Sequence, residues 1–195
     1  MVALPYEQVR LQIRTSDLLL FRGRGIMATL IGRAGRSPYT HAAKAIWWPD
    51  AGSERANLMC VEMREFRGGR AVTLDSQVQR HPGRIDVFTL SAAVESFYDR
   101  ERAAAMMLSM CGQDYGYWSL WRAAWCHLFG VRLFARPNID DAYLSGEPLF
   151  CSAACAVADR VGGGLDPVPT LADQWVEPAD LARSAVWSYR FTLEG

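Results

Sequence analysis

Apolar residues along the chain follow two periods, and the switch between them predicts the elements. Unbroken or alternating apolar runs fall at Asp17–Phe21, Tyr39–Trp48, Leu58–Met63, Ala71–Leu74, Ile85–Leu90 and Val186–Phe191, and each predicts a strand. On the second of these, Tyr39, His41, Ala43 and Ala45 share one face, because strand side chains alternate. Gly68-Gly69 turns the third strand into the fourth, its hairpin partner. Helical spacing predicts a short helix over Ile26–Ala34, closed by Gly35. A longer helix starts at Ser91 as N-cap and ends at Gly112, with Phe97, Ala104, Met107, Leu108 and Cys111 as its buried stripe. Tyr117–Phe129 reads as a second main helix with aromatic residues on several sides. The third main helix carries Ala153, Ala154, Val157 and Val161 on one face and stops at Gly162-Gly163-Gly164. After a Pro-rich segment, Ala179–Ala182 is a short turn before the closing strand. Roughly six strands and three main helices in mixed order imply an α+β fold.

Composition narrows the class. A chain of 195 residues, 50% hydrophobic, can bury one core, so a single domain over 1–195 is expected, with 1–15 as a polar leader segment. The 21 basic and 21 acidic residues cancel, which argues against nucleic acid as a partner. Lys44 is the only lysine, a bias consistent with a GC-rich genome rather than with chemistry. The five cysteines are an odd set without a disulfide pattern, and Cys60, Cys111 and Cys126 read as small buried hydrophobes. The N-terminus lacks the basic and apolar regions of a signal peptide, and no apolar run is long enough to span a bilayer. The expected location is therefore cytoplasmic as synthesised, with incorporation into a virion or another delivered assembly as the route outward.

Cys151 is the first chemical candidate. It sits at or just before the first turn of its helix, where unpaired N–H groups and the helix dipole favour a thiolate. Cys155, one turn later, is assigned to packing. His41 lies on a core strand among small neighbours (Thr40, Ala42, Ala43); a base and a hydrogen-bonded structural histidine fit that pattern equally well. His81, before Pro82-Gly83, reads as an exposed turn residue, and His127 as structural. Glu62 is a carboxylate inside an apolar strand, costly to bury unless paired. Either it orients His41 from the adjacent strand or it points to solvent from an edge. A zinc site from Cys151, Cys155 and a histidine has only a weak spacing signature, so neither metal nor cofactor is expected.

The ordered landmarks Asp17–Phe21, Ser37-Pro38-Tyr39-Thr40-His41, Val61-Glu62, Gly112-Gln113-Asp114-Tyr115, Phe150-Cys151-Ser152 and Glu177–Ser184 resemble the YiiX/YebB-like proteins. These are the circularly permuted branch of the NlpC-type papain-like hydrolases, related to lecithin retinol acyltransferase. The resemblance covers nearly the whole chain from about residue 16. It departs from the family pattern at Thr40, at Ala153-Ala154 and in the order Asp114-Tyr115. It implies a papain-like fold, an antiparallel sheet or partial barrel packed on helices. It also implies a Cys–His–Glu triad: Cys151 as nucleophile, His41 as base, Glu62 as orienting group. Tyr115 and Tyr39 are expected oxyanion or substrate contacts.

Three functions follow from that resemblance. The first is a cysteine peptidase or amidase that hydrolyses bacterial cell-wall peptides (peptidoglycan), carried by a phage tail. The second is a lipid-directed acyltransferase or thioesterase. The third is a non-catalytic tail component that keeps the fold, with the Trp118, Trp121 and Trp125 helix as its contact surface for a protein partner.

Overall fold

The structure is a computed structural model that describes residues 2–23, 37–49, 56–81, 83–116 and 148–194. The expected helices Ile26–Ala34 and Tyr117–Phe129 lie outside the described residues, and with them Cys126, His127, Trp118, Trp121 and Trp125.

Among the described residues, seven strands form one mixed sheet: β1 (Ala3–Pro5), β2 (Leu18–Arg22), β3 (His41–Pro49), β4 (Ala56–Arg64), β5 (Gly68–Thr73), β6 (Arg84–Leu90) and β7 (Trp187–Glu194). Their order across the sheet is β1-β7-β6-β2-β3-β4-β5. Every pairing is antiparallel except β1 with β7, which is parallel. The helices are α1 (Tyr6–Val9), α2 (Leu74–Arg80), α3 (Arg100–Ser109), α4 (Cys151–Val157) and α5 (Pro178–Arg183). This is an α+β arrangement of one sheet and packed helices.

Alternation along the strands sends side chains into two cores. Leu18, Leu20, Ala42, Ile46, Val61 and Met63 meet α3, α4 and α5 on one face. Leu19, Phe21, Ala43, Ala45 and Cys60 meet α2 and the N-terminal segment on the other. β2 lies between β3 and β6 and is buried on both faces, which is why it reads as an unbroken apolar run.

Several expectations are corrected. The first fifteen residues are not a polar leader. Ala3 pairs with Thr192 at the sheet edge, and Tyr6, Val9 and Ile13 are buried in the second core. Leu74 does not end a strand but opens α2, capped by Thr73, whose hydroxyl accepts the Ser76 N–H. Leu74 and Val78 are its buried pair, one turn apart. The helix expected from Ser91 starts later, with Asp99 as N-cap accepting the Arg102 N–H at 3.0 Å. Before it the chain makes turns, and Phe97 is 74% exposed instead of belonging to the stripe. Cys111 is only partly buried. His81 is not an exposed turn residue: its Nε2 sits 3.2 Å from the Arg22 carbonyl, and its ring packs edge-on against Phe21.

Candidate active site

β3 and β4 place His41 and Glu62, and α4 places Cys151. His41 is the first residue of β3, opposite Phe21 of β2, and its ring packs edge-on against Phe21 at 5.1 Å. Glu62 is fully buried on β4. The imidazole Nε2 and Glu62 Oε2 are 2.5 Å apart. This settles the open choice for Glu62: it faces the histidine, not solvent.

The second Glu62 oxygen is also occupied. Arg70 donates to Oε1 from Nε at 2.9 Å and from Nη2 at 2.5 Å. Arg70 stands directly across the β4–β5 ladder from Glu62, so the hairpin register supplies this partner. The buried carboxylate therefore has a cation on each oxygen, which offsets much of its desolvation cost.

Cys151 is the first residue of α4, with Phe150 as N-cap, and is buried. Its thiol is hydrogen-bonded to His41. With Nε2 engaged by Glu62, Nδ1 is the nitrogen left to face the sulfur. Burial pushes the thiol pKa up. The His41 charge and hydrogen bond, with the backbone N–H groups of Ala42 and Ser152, outweigh burial and lower it. Burial likewise opposes charging His41, but the Cys151 sulfur and the Glu62 carboxylate raise it to about 9. Glu62 is pushed up by burial, yet His41 and then Arg70 bring it down to about 2. A thiolate–imidazolium pair backed by an ionised carboxylate is the arrangement these shifts describe.

Cys155 contrasts with Cys151. It is fully buried one turn further along, and burial holds its thiol well above the ordinary range. The two expected tyrosines lie in the core on the α4 side of the sheet. Tyr39 precedes β3, and its hydroxyl donates to buried Asp86 at 2.7 Å under the Arg22 guanidinium. It therefore does not share a face with Ala43 and Ala45, which pack into the other core. Tyr115 is buried in the same cluster as Phe150 and Cys151, where the Gly116 N–H donates to the Leu149 carbonyl at 3.0 Å. Arg70 was not expected from the sequence. Gly68 and Gly69 open β5 instead of making the turn, which is Glu65-Phe66-Arg67; pairing Arg64 with Gly68 across that turn sets residue 70 opposite residue 62.

No protein-family model matches the chain, and no curated protein matches it. Among solved structures it is similar to the crystal structure of metalloprotein yiiX from Escherichia coli O157:H7. The two are 12% identical, the TM-score is 0.59, and the match covers 92% of this chain and 97% of that one. The likeness shows the fold: α+β, a mixed sheet packed against helices, as in yiiX. The neighbour is described as a metalloprotein. In this chain, no group of three or more His, Cys, Asp or Glu among the described residues is placed to hold a metal ion. Glu62 and His41 already occupy each other, and the Arg70 guanidinium on the same carboxylate disfavours a second cation. This donor set does not fit a metal centre.

Proposed function

We propose that the protein is a cysteine hydrolase of the Cys–His–Glu type that works through a thioester on Cys151. One observation supports the reading above all: a single imidazole links a thiol of lowered pKa to a buried, ionised carboxylate. The Cys151 sulfur attacks a carbonyl carbon, and the carbonyl π pair moves onto oxygen. The Cys151 N–H, which has no intrahelical partner in the first helical turn, donates to that oxyanion. As the tetrahedral intermediate collapses, the His41 imidazolium gives its proton to the departing amine, leaving an acyl-thioester. The neutral imidazole then takes a proton from water, which attacks the thioester and releases the acid. Glu62 holds the ring and its charge throughout, and Arg70 holds Glu62.

The substrate we favour is the amide bond of bacterial cell-wall peptides, cut by an enzyme delivered on a phage tail or similar assembly. This rests on the resemblance to the permuted NlpC-type branch. The test begins with a p-nitrophenyl ester, followed by intact mass and peptide mapping. One acyl group on the Cys151 peptide, absent in Cys151→Ala, is expected, and no adduct on the parent would overturn the thioester mechanism. Release of soluble muropeptides from purified sacculi is then expected from the parent but not from Cys151→Ala. An acylated parent that leaves sacculi intact but transfers acyl groups from lipid vesicles would move the substrate to the lipid class.

A further inference from the structure

The chain contains one lysine, and it is fully buried. Lys44 lies on β3, three residues beyond His41. Its Nζ donates to Asp159 Oδ1 at 2.6 Å and to the Ser16 carbonyl at 3.4 Å, and sits 4.0 Å from the centre of the Trp187 ring. Asp159 is buried too, in a π-helical turn, Ala158–Gly162, that continues α4. The Tyr98 hydroxyl donates to the same Oδ1, while Asp159 Oδ2 has no hydrogen-bond partner among the described residues.

β3 and the cysteine helix are thus joined twice: Cys151 to His41 at one end, Asp159 to Lys44 at the other. Three strand residues span roughly 10 Å, and eight helical residues span roughly 12 Å. The two spans are of similar length, with Lys44 on the α4 face of β3 and His41, at the first position of the strand, on the alternate face against Phe21. Between the two contacts every helix residue is fully buried, and apart from Val157 all are small: Ser152, Ala153, Ala154, Cys155, Ala156 and Ala158. Such short side chains interdigitate little, so packing alone sets the helix's position along the strand weakly. A directional charged bond does what alanine does not.

We propose that Lys44 and Asp159 are positioning residues whose buried ion pair fixes the register of the cysteine helix on β3. This holds Cys151 against His41, and it deepens the active-site reading above, on which it rests. The choice of residue agrees. In a chain that otherwise uses arginine, this site keeps the compact ammonium, whose donors reach Asp159 and the Ser16 carbonyl beside an indole face; a flat guanidinium fork does not fit that set. A buried pair of this kind is poor evidence of stability, since apolar replacements often fold as well or better. Positioning is where its effect is expected to appear.

Among the described residues, the titratable groups facing the pair are Tyr98, Asp166 and the Cys155 thiol. The experiment follows Cys151 iodoacetamide alkylation against pH, mapped by mass spectrometry, in the full chain and in Lys44→Met/Asp159→Leu. The double variant should keep its circular dichroism spectrum and melt at or above the parent. Its Cys151 alkylation profile should move up by about one pH unit, a roughly tenfold fall in rate at any pH well below the parent's midpoint. A folded double variant with a superimposable profile would overturn the proposal. If the double variant does not fold, Lys44→Arg carries the test, since it keeps the charge but not the shape. A shifted profile is then expected, and an unshifted one overturns the proposal. A parent whose Cys151 reacts like a free thiol in acid would overturn the active-site reading itself, and this proposal with it.

Discussion

Glu62 shows how one residue sets the charge balance of the site. It lowers the free energy of the imidazolium, and the imidazolium stabilises the thiolate, so the carboxylate acts on the sulfur through the ring. Glu62→Gln keeps shape and can still accept the Nε2–H bond, but the charge is gone. His41 should then lose protons at lower pH and Cys151 should need higher pH to ionise, so its alkylation profile moves upward while the protein stays folded. Superimposable curves for parent and variant would remove Glu62 from the site. Stability should respond as well. Glu62, lowered to about 2 from 4.5, contributes fully above its unfolded pKa, and that contribution is lost as pH falls through about 2. His41, raised to about 9 from 6.5, contributes fully below its unfolded pKa, and that is lost as pH rises through about 9. At this scale the sequence was informative where the pattern was anomalous: a carboxylate in an apolar strand, a histidine among small residues, a cysteine at a helix start. Arg70 was hidden because an arginine beside a turn looks like any other in an arginine-rich chain. Only pairing register distinguishes it.

Elements whose apolar period is uninterrupted were legible, and the mistaken boundaries have a common cause. Apolar residues just outside an element extend its apparent period: Phe97 into α3, Leu74 into β5. In both cases a capping side chain, Asp99 or Thr73, marks the true start. β5 illustrates a constraint that periodicity does not carry. Its Gly69 N–H donates to the Gln113 carbonyl at 2.8 Å, and its carbonyl accepts the Gly112 N–H at 2.8 Å. A Cβ at Gly69 would lie 1.9 Å from the Met110 carbonyl oxygen, so the glycine is required by close backbone approach. Gly69→Ala should push β5 away from the end of α3 and cost roughly 1–3 kcal/mol. Because Arg70 is the next residue, Cys151 reactivity should fall together with the melting temperature. A variant that melts lower but keeps the parent's alkylation profile would show that β5 can shift without disturbing Glu62.

The whole molecule divides its work between the two faces of one sheet. One face carries α4 and the thiol; the other is closed by the N-terminal segment and α2. The opening residues read as a leader because the buried Tyr6, Val9 and Ile13 stand among exposed apolar neighbours such as Val2 and Leu11, so no period singles them out. Their role emerges only when β1 pairs with β7, nearly the full length of the chain away. Such long-range closure is invisible to local pattern. Ile13 tests this division, since it is 1% exposed and lies in the second core with Leu19, Phe21 and Leu193. Ile13→Ala removes buried apolar volume that neighbouring strands cannot readily refill, at roughly 2–5 kcal/mol. For a domain of this size that corresponds to a fall of about 5–15 °C in melting temperature. The thiol–imidazole pair depends on the contact of α4 with β3, which this change does not touch. Well below the melting transition, Cys151 in Ile13→Ala should therefore alkylate with the parent's pH profile. Thermal melting by circular dichroism and Cys151 peptide mapping measure the two effects separately. A profile that moves with the melting temperature would mean that the second core also sets the catalytic geometry, through Phe21 packed against the His41 ring.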